Sequence, residues 1–247
     1  MSPPLIFLAT PCFGGQVGAH YLNSVLGLQG ACAERGVGLH VELLENDTQI
    51  TRARARLCAR FMACPDATHL LFVDADIGFA PQAALRLLDA SHEVAGGVYP
   101  LKAVDWTKVR AAAAAGAADL MGKSVGYVIR FIPTPDNSVQ VEGGFANVAY
   151  VGTGFMMITR AAVERLAAAH PELAADLGEL EPGAASIPML FDTLIEPQTG
   201  QHLSEDYAFC HRWRALGGEI WADVETRLTH VGPTAYSGSL MEAMRPG

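Results

Sequence analysis

The chain has 247 residues, half of them apolar and 17% charged, which is a globular composition with enough apolar material for a substantial core. Its formal charge of −9 excludes a large nonspecific nucleic-acid surface and leaves Arg52, Arg54, Arg56 and Arg60 as the one dense basic cluster, a candidate phosphate pocket. The five cysteines, Cys12, Cys32, Cys58, Cys64 and Cys210, lack CxxC spacing, so reduced thiols in a cytoplasmic protein are expected rather than disulfides or a zinc site.

Residues 1–10 carry no basic segment, and their apolar run is too short for a signal sequence or a membrane span, so Leu5 to Ala9 reads as the first strand. A glycine-bearing loop then leads to a helix over Ala19 to Arg35, a strand over Leu39 to Leu44 and a helix over Ile50 to Met62. Leu70 to Val73 is apolar at every position, the pattern of a strand covered on both faces. Pro81 suits the first turn of a helix that continues to Ala90, and Val94 to Tyr99 is the next strand. This alternation predicts an α/β fold with a mainly parallel central sheet flanked by helices.

The remainder has a different texture and is expected to form a smaller mixed or antiparallel region of the same single domain, residues 1–247. The alanine run Ala111 to Ala115 marks a surface helix within Asp105 to Leu120. Tyr127 to Ile132 and Val139 to Glu142 read as a hairpin around Pro133 to Asn137. Val148 to Thr159 is a strand-like run containing Gly152 and Gly154, and Ala161 to Ala169 is a helix. Gly178 to His202, rich in Gly, Pro, Glu and Ser, is expected to be a mobile loop able to close over a substrate. A helix over Leu203 to Leu216 and short strands at Glu219 to Ala222 and Thr226 to His230 follow.

Asp74 and Asp76 stand at the carboxyl end of the buried strand, where ligands bind in open α/β sheets. If the strand continued through them, both carboxylates would share one face and suit a hard divalent cation; the bland alternative is a pair of capping or solvated acids. Ser204-Glu205-Asp206 opens a helix, either as an ordinary N-cap with dipole-stabilised acids or with Asp206 as a general base and Glu205 orienting it. His230 is either a packed residue or a neutral imidazole that completes a metal shell. Tyr99 and Lys102 follow a strand end and are cleft candidates, as is Trp106, whereas Trp213 and Trp221 read as core. Gly152-Thr153-Gly154 is a bulge or a place of close approach to donor or acceptor.

Taken in order, Phe72-Val73-Asp74-Ala75-Asp76-Ile77, Gly152-Thr153-Gly154-Phe155-Met156-Met157-Ile158, and Ser204-Glu205-Asp206-Tyr207 through Trp213 to His230 resemble the nucleotide-sugar-dependent glycosyltransferases of the GT-A fold, especially their family 2-like bacterial and viral members. The resemblance spans nearly the whole chain. It implies a Rossmann-like nucleotide-binding half over about 1–104 and an acceptor-binding half over about 105–247. It implies Mn²⁺ or Mg²⁺ on Asp76, with Asp74 at the ribose or a metal-bound water and His230 completing the metal shell. Thr10, Pro11 and Cys12 would cradle the nucleotide, and Arg52 and Arg54 would approach the diphosphate or sugar. Similar proteins commonly carry Arg-Ala-Arg-Asn here; this chain has Ala55 in the last place, so the asparagine's role is not carried over.

The implied reaction moves a sugar from a nucleoside-diphosphate sugar, UDP by default and GDP as the second choice, to an acceptor hydroxyl, with inversion and Asp206 as base. The acceptor would be a glycan, a lipid-linked glycan or a protein, and the enzyme a cytoplasmic one able to visit a membrane surface in glycan biosynthesis. A nucleotidyltransferase would carry a basic glycine-rich loop after the first strand, but Pro11 to Ala19 has glycines and no basic residue. A noncatalytic sugar- or nucleotide-binding module would keep Asp76 and have no need of Asp206.

Overall fold

A computed structural model describes residues 3–136, 138–181, 184 and 186–234. Asn137 of the expected turn and residues 182, 183 and 185 of the expected loop lie outside them. The first half runs β1 (Leu5–Cys12), α1 (Ala19–Arg35), β2 (Gly38–Glu45), α2 (Ile50–Met62), β3 (His69–Val73), β4 (Ile77–Gly78), α3 (Pro81–Ala90), β5 (Val94–Gly97) and β6 (Pro100–Val104). The second half adds α4 (Trp106–Ala114), α5 (Leu120–Ser124), β7 (Val125–Tyr127), β8 (Ile129–Phe131), β9 (Phe145–Val151), β10 (Phe155–Thr159) and α6 (Arg160–Ala169). It closes with β11 (Ala174–Ala175), β12 (Ile187–Pro188), β13 (Leu194–Ile195), β14 (His202–Leu203), α7 (Glu205–Ala215), β15 (Ile220–Asp223) and β16 (Thr229–His230).

The central sheet has the order β2-β1-β3-β10-β5-β15-β9-β8. Strands β1, β2, β3, β5, β15 and β8 run one way, and β10 and β9 run the other. The expected α/β architecture is therefore present, with a mainly parallel sheet flanked by helices and small separate antiparallel pairs beside it.

Strand alternation divides the core between the two faces. Phe7, Ala9, Leu70 and Phe72 pack with α2, α6 and α7, whereas Ile6, Leu8, Leu71 and Val73 pack with α1 and α3. Covering both faces is why β3 is apolar at consecutive positions; each such side chain contributes about 1.5–3 kcal/mol of burial. Local signals set the helix starts: Pro81 occupies the first turn of α3, and Asp105 and Thr159 accept backbone N–H groups at the starts of α4 and α6.

Several expectations are corrected. The run Val148 to Thr159 is two strands, β9 and β10, broken at Gly152-Thr153-Gly154 and placed apart in the sheet, with β10 between β3 and β5. Strand β8 pairs with β9, so Val139 to Glu142 is not the hairpin partner; of it only Glu142 makes an isolated bridge, to Phe145. The helix expected over Asp105 to Leu120 ends at Ala114 because Gly116 turns the chain with positive φ. Leu203 belongs to β14, and α7 begins after Ser204.

The described part of the 178–202 segment is anchored rather than free. Leu190 and Phe191 are fully buried, Phe191 stacks on Phe209, and Arg56 and Arg60 each donate to Glu181 at 2.7 Å. The basic cluster on α2 is likewise occupied by the chain's own acids. Arg52 and Arg56 bind Asp47, Arg60 binds Glu42 and Glu181, and Arg54 binds Asp74.

Asp47 is buried and accepts from Arg52, Arg56 and the Gln49 N–H. Burial pushes its carboxyl upward, but the bonds from Arg52, Gln49 and Arg56 outweigh that and hold it below its ordinary value. Asp47→Asn should therefore lose about 1–3 kcal/mol at neutral pH, since hydrogen bonds to charged groups are removed. A carboxylate with a depressed folded pKa stabilises above its unfolded pKa and loses that contribution as pH falls through the folded value. Urea unfolding should show the full deficit at pH 7 and a closing gap in acid; a pH-independent gap would contradict the assignment.

Candidate active site

Strand β3 stops at Val73, and Asp74 to Asp76 form a turn in which the Ile77 N–H donates to the Asp74 carbonyl at 3.0 Å. The two carboxylates therefore do not share a strand face. Strand β1 outruns its pairing with β3, whose last register pair is Ala9 with Phe72, so Thr10, Pro11 and Cys12 flank this turn. The Gly18 N–H donates to the Ala75 carbonyl at 2.8 Å and fastens the loop after β1 to the same place. From the other side the Asp74 N–H donates to the Gly154 carbonyl at 2.9 Å, a contact that the insertion of β10 makes available.

Asp74 turns toward α2. Arg54 is 2% exposed, and its Nη2 donates to Asp74 Oδ1 at 2.9 Å while its Nε lies 3.6 Å from Glu205 Oε1. The guanidinium also lies over the Phe72 ring, 5.2 Å from its centroid, and its Nε and Nη1 make no hydrogen bond. Desolvation opposes this buried charge, but Asp74 and Glu205 outweigh it and raise the Arg54 pKa further. For Glu205 burial wins: its carboxyl is raised despite the pull of Arg54, with Asp206 adding to the rise.

Asp206 is 8% exposed at the start of α7. Its Oδ1 accepts from Ser204 Oγ and, at 2.8 Å, from the Tyr207 N–H. Ser204 thus holds the N-cap position without a side-chain bond to the helix backbone and orients Asp206 instead.

Asp76 turns away from Asp74. Its Oδ2 is bound by Lys102 Nζ, and its Oδ1 lies 3.4 Å from His230 Nε2. Burial pushes the Asp76 carboxyl up, but hydrogen bonds from His230 and Lys102 outweigh it and hold the group below its ordinary value. His230 Nδ1 donates to the Pro100 carbonyl at 2.7 Å, which turns Nε2 toward Asp76. Nε2 faces the carboxylate as an N–H donor when the ring is protonated and as a lone pair when it is neutral, and in the second state the two electron-rich atoms would accept a cation between them.

Tyr99 joins the two clusters. Its ring meets His230 edge-on with centroids 5.3 Å apart, and its hydroxyl accepts the Gly154 N–H at 3.2 Å. Burial, then the Asp74 charge, raises its pKa, so it remains a neutral phenol. Gly152 and Gly154 make room for it: an added Cβ would lie 2.2 Å from the Tyr99 hydroxyl at Gly152 and 2.8 Å from Cζ at Gly154. The close approach is thus to the protein's own side chain.

Other expected residues are engaged by partners of their own or lie apart from these clusters. Thr10 shares a 2.6 Å hydrogen bond with the Tyr21 hydroxyl. Cys12 has its thiol pushed up to about 11, chiefly by burial and then by Glu45, which leaves a neutral group. Arg52 is paired with Asp47. Trp106 is exposed and Trp213 is buried. A cavity of about 770 Å³, lined by Pro100, Leu101, Lys102, Tyr127, Arg227 and His230 among others, opens beside the Asp76 cluster. The sequence reading missed this cavity, since it depends on the pairing of β6 with β7.

Among the described residues no group of three or more His, Cys, Asp or Glu side chains is arranged to hold a metal. Asp76 and His230 nevertheless fit a divalent ion that takes its remaining ligands from substrate phosphates, as such ions commonly do. The ligand nitrogen whose ring partner donates to a backbone carbonyl is the arrangement that metal-binding histidines adopt, and an imidazole donor favours Mn²⁺ over Mg²⁺.

No protein-family model matches the chain, and no curated protein matches it in sequence. Among solved structures it is similar to the catalytic domain of Drosophila beta1,4galactosyltransferase 7 in complex with xylobiose, at 12% identity and a TM-score of 0.46 over 98% of this chain and 79% of that one. A protein from STIV matches at 12% identity and a TM-score of 0.45, over 95% of this chain and 98% of that one. GalNAc-T7 with UDP, GalNAc and Mn²⁺ matches at 10% identity and a TM-score of 0.43, over 92% of this chain and 44% of that one. No described helix is long and apolar enough to cross a membrane.

Gly152→Ala should destabilise by about 1–3 kcal/mol through overpacking against Tyr99. Tyr99→Phe removes the nearest clashing atom, so thermal unfolding of the double variant should show a smaller loss than the sum of the two single losses. Strict additivity would contradict the contact.

Proposed function

We propose that the chain is a glycosyltransferase that uses a nucleoside-diphosphate sugar and a divalent metal ion. The observation that carries the reading is the facing pair Asp76 Oδ1 and His230 Nε2, 3.4 Å apart, with the imidazole oriented by Pro100. This pair sits at the carboxyl edge of the sheet, where the turn after β3 meets the loop after β1. Asp76 and His230 would hold the ion, Mn²⁺ by preference, and the ion would offset the charge that develops on the departing diphosphate.

The end of β1, Thr10, Pro11 and Cys12, would border the nucleotide, with UDP the default and GDP the second choice. Asp74, fixed by Arg54, would take a ribose hydroxyl or a metal-bound water. Tyr99 keeps the two acidic clusters at a fixed separation through His230 and Gly154.

Asp206 is assigned as the base. The acceptor oxygen attacks the anomeric carbon, the bond from that carbon to the phosphate oxygen breaks, and the acceptor proton passes to the Asp206 carboxylate, giving inversion. Ser204 and the Tyr207 N–H hold one oxygen of that carboxylate, which fixes the direction of the other. Glu205 is tied to Arg54 and acts by positioning α7.

Calorimetric titration with UDP and GDP, with and without Mn²⁺, tests the reading. Asp76→Ala should abolish metal-dependent nucleotide binding. Asp206→Asn should bind nearly normally and lose turnover by about 10²-fold or more, the scale of a missing general base. Failure of both nucleotides to bind, or full turnover in Asp206→Asn, would overturn the binding and base assignments respectively.

A further inference from the structure

Among the described residues Lys102 is the one lysine or arginine seated on Asp76, and several features show that its place is built. It comes from β6, the strand whose Pro100 carbonyl also orients His230 of β16, so one strand both supplies Lys102 and fixes the ring that faces the same carboxylate. Its stem lies along Gly232: an added Cβ there would be 2.6 Å from Lys102 Cδ and 3.2 Å from Cγ. Packing as well as charge therefore directs the ammonium at Asp76.

The pair is also weak enough to exchange. The side chains of Lys102 and Asp76 are 37% and 40% exposed, and ion pairs so open to water are worth about 0.2–1 kcal/mol. Asp76 would have to exchange the ammonium for a divalent ion, and Lys102 would then be free to pair with a phosphate.

We propose that Lys102 is a tethered stand-in for the metal: it neutralises Asp76 in the free protein, yields the carboxylate to the divalent ion, and moves to the donor's phosphates. The inference rests on the metal-dependent reading above and adds a coupling to it. Metal alone binds against Lys102, whereas metal and nucleoside diphosphate together recruit Lys102, so each raises the other's affinity.

The test is a titration with Mn²⁺, following the free-ion electron paramagnetic resonance signal, with and without UDP and without turnover. Lys102→Met should bind Mn²⁺ alone about 1.4- to 5-fold more tightly than wild type, the range set by an exposed ion pair. The increase in Mn²⁺ affinity that UDP produces should be smaller than in wild type. Gly232→Ala, which pushes the lysine stem aside, should shift the Mn²⁺-only affinity in the same direction. Equal or weaker Mn²⁺ binding by Lys102→Met overturns the Lys102 role alone. No Mn²⁺ binding by either protein, with or without UDP, overturns the metal-dependent reading and the Lys102 role with it.

Discussion

A buried guanidinium governs the arrangement of the site. Arg54, from the middle of α2, touches Asp74 at the end of β3 and approaches Glu205 at the start of α7, so elements distant in the chain converge on one charge. A charge this deep is tolerated only because two acids face it; removal of both would leave an uncompensated buried ion, and removal of one leaves it a single partner. The position of α7, and with it Asp206, follows from this constraint. So does the orientation of Asp74 away from Asp76.

That separation produces two acidic clusters with different chemistry. Around Arg54 the acids are half-buried and charge-compensated, suited to holding geometry. Around Asp76 the partners are a lysine and a histidine in a more open setting, suited to exchanging one cation for another. Tyr99, neutral and wedged against Gly152 and Gly154, spans the two and sets their distance.

Much of this was legible in the sequence where a local rule decides the outcome. The unbroken apolar run of β3 announced a strand buried on both faces, and the acids behind it marked the carboxyl edge of the sheet. Less legible were features fixed by tertiary pairing. Nothing in Val148 to Thr159 says that its two glycines end one strand and begin another three places away in the sheet, because the reason is the Tyr99 ring. The arginines of α2 look like a phosphate-binding cluster in sequence, yet Asp47, Glu42, Glu181 and Asp74 come from elsewhere to occupy them. The loop-like composition of 178–202 likewise conceals Leu190 and Phe191, whose burial depends on Phe72 and Phe209.

The central claim is that Asp76 and His230 hold one cation between them. Pulsed electron paramagnetic resonance on the protein with Mn²⁺ and UDP reads this directly, through the coupling of the manganese spin to a bound nitrogen. The account predicts a single directly coordinated histidine nitrogen that disappears in His230→Gln. Bound Mn²⁺ with no nitrogen coupling, or with coupling unchanged in His230→Gln, would contradict it.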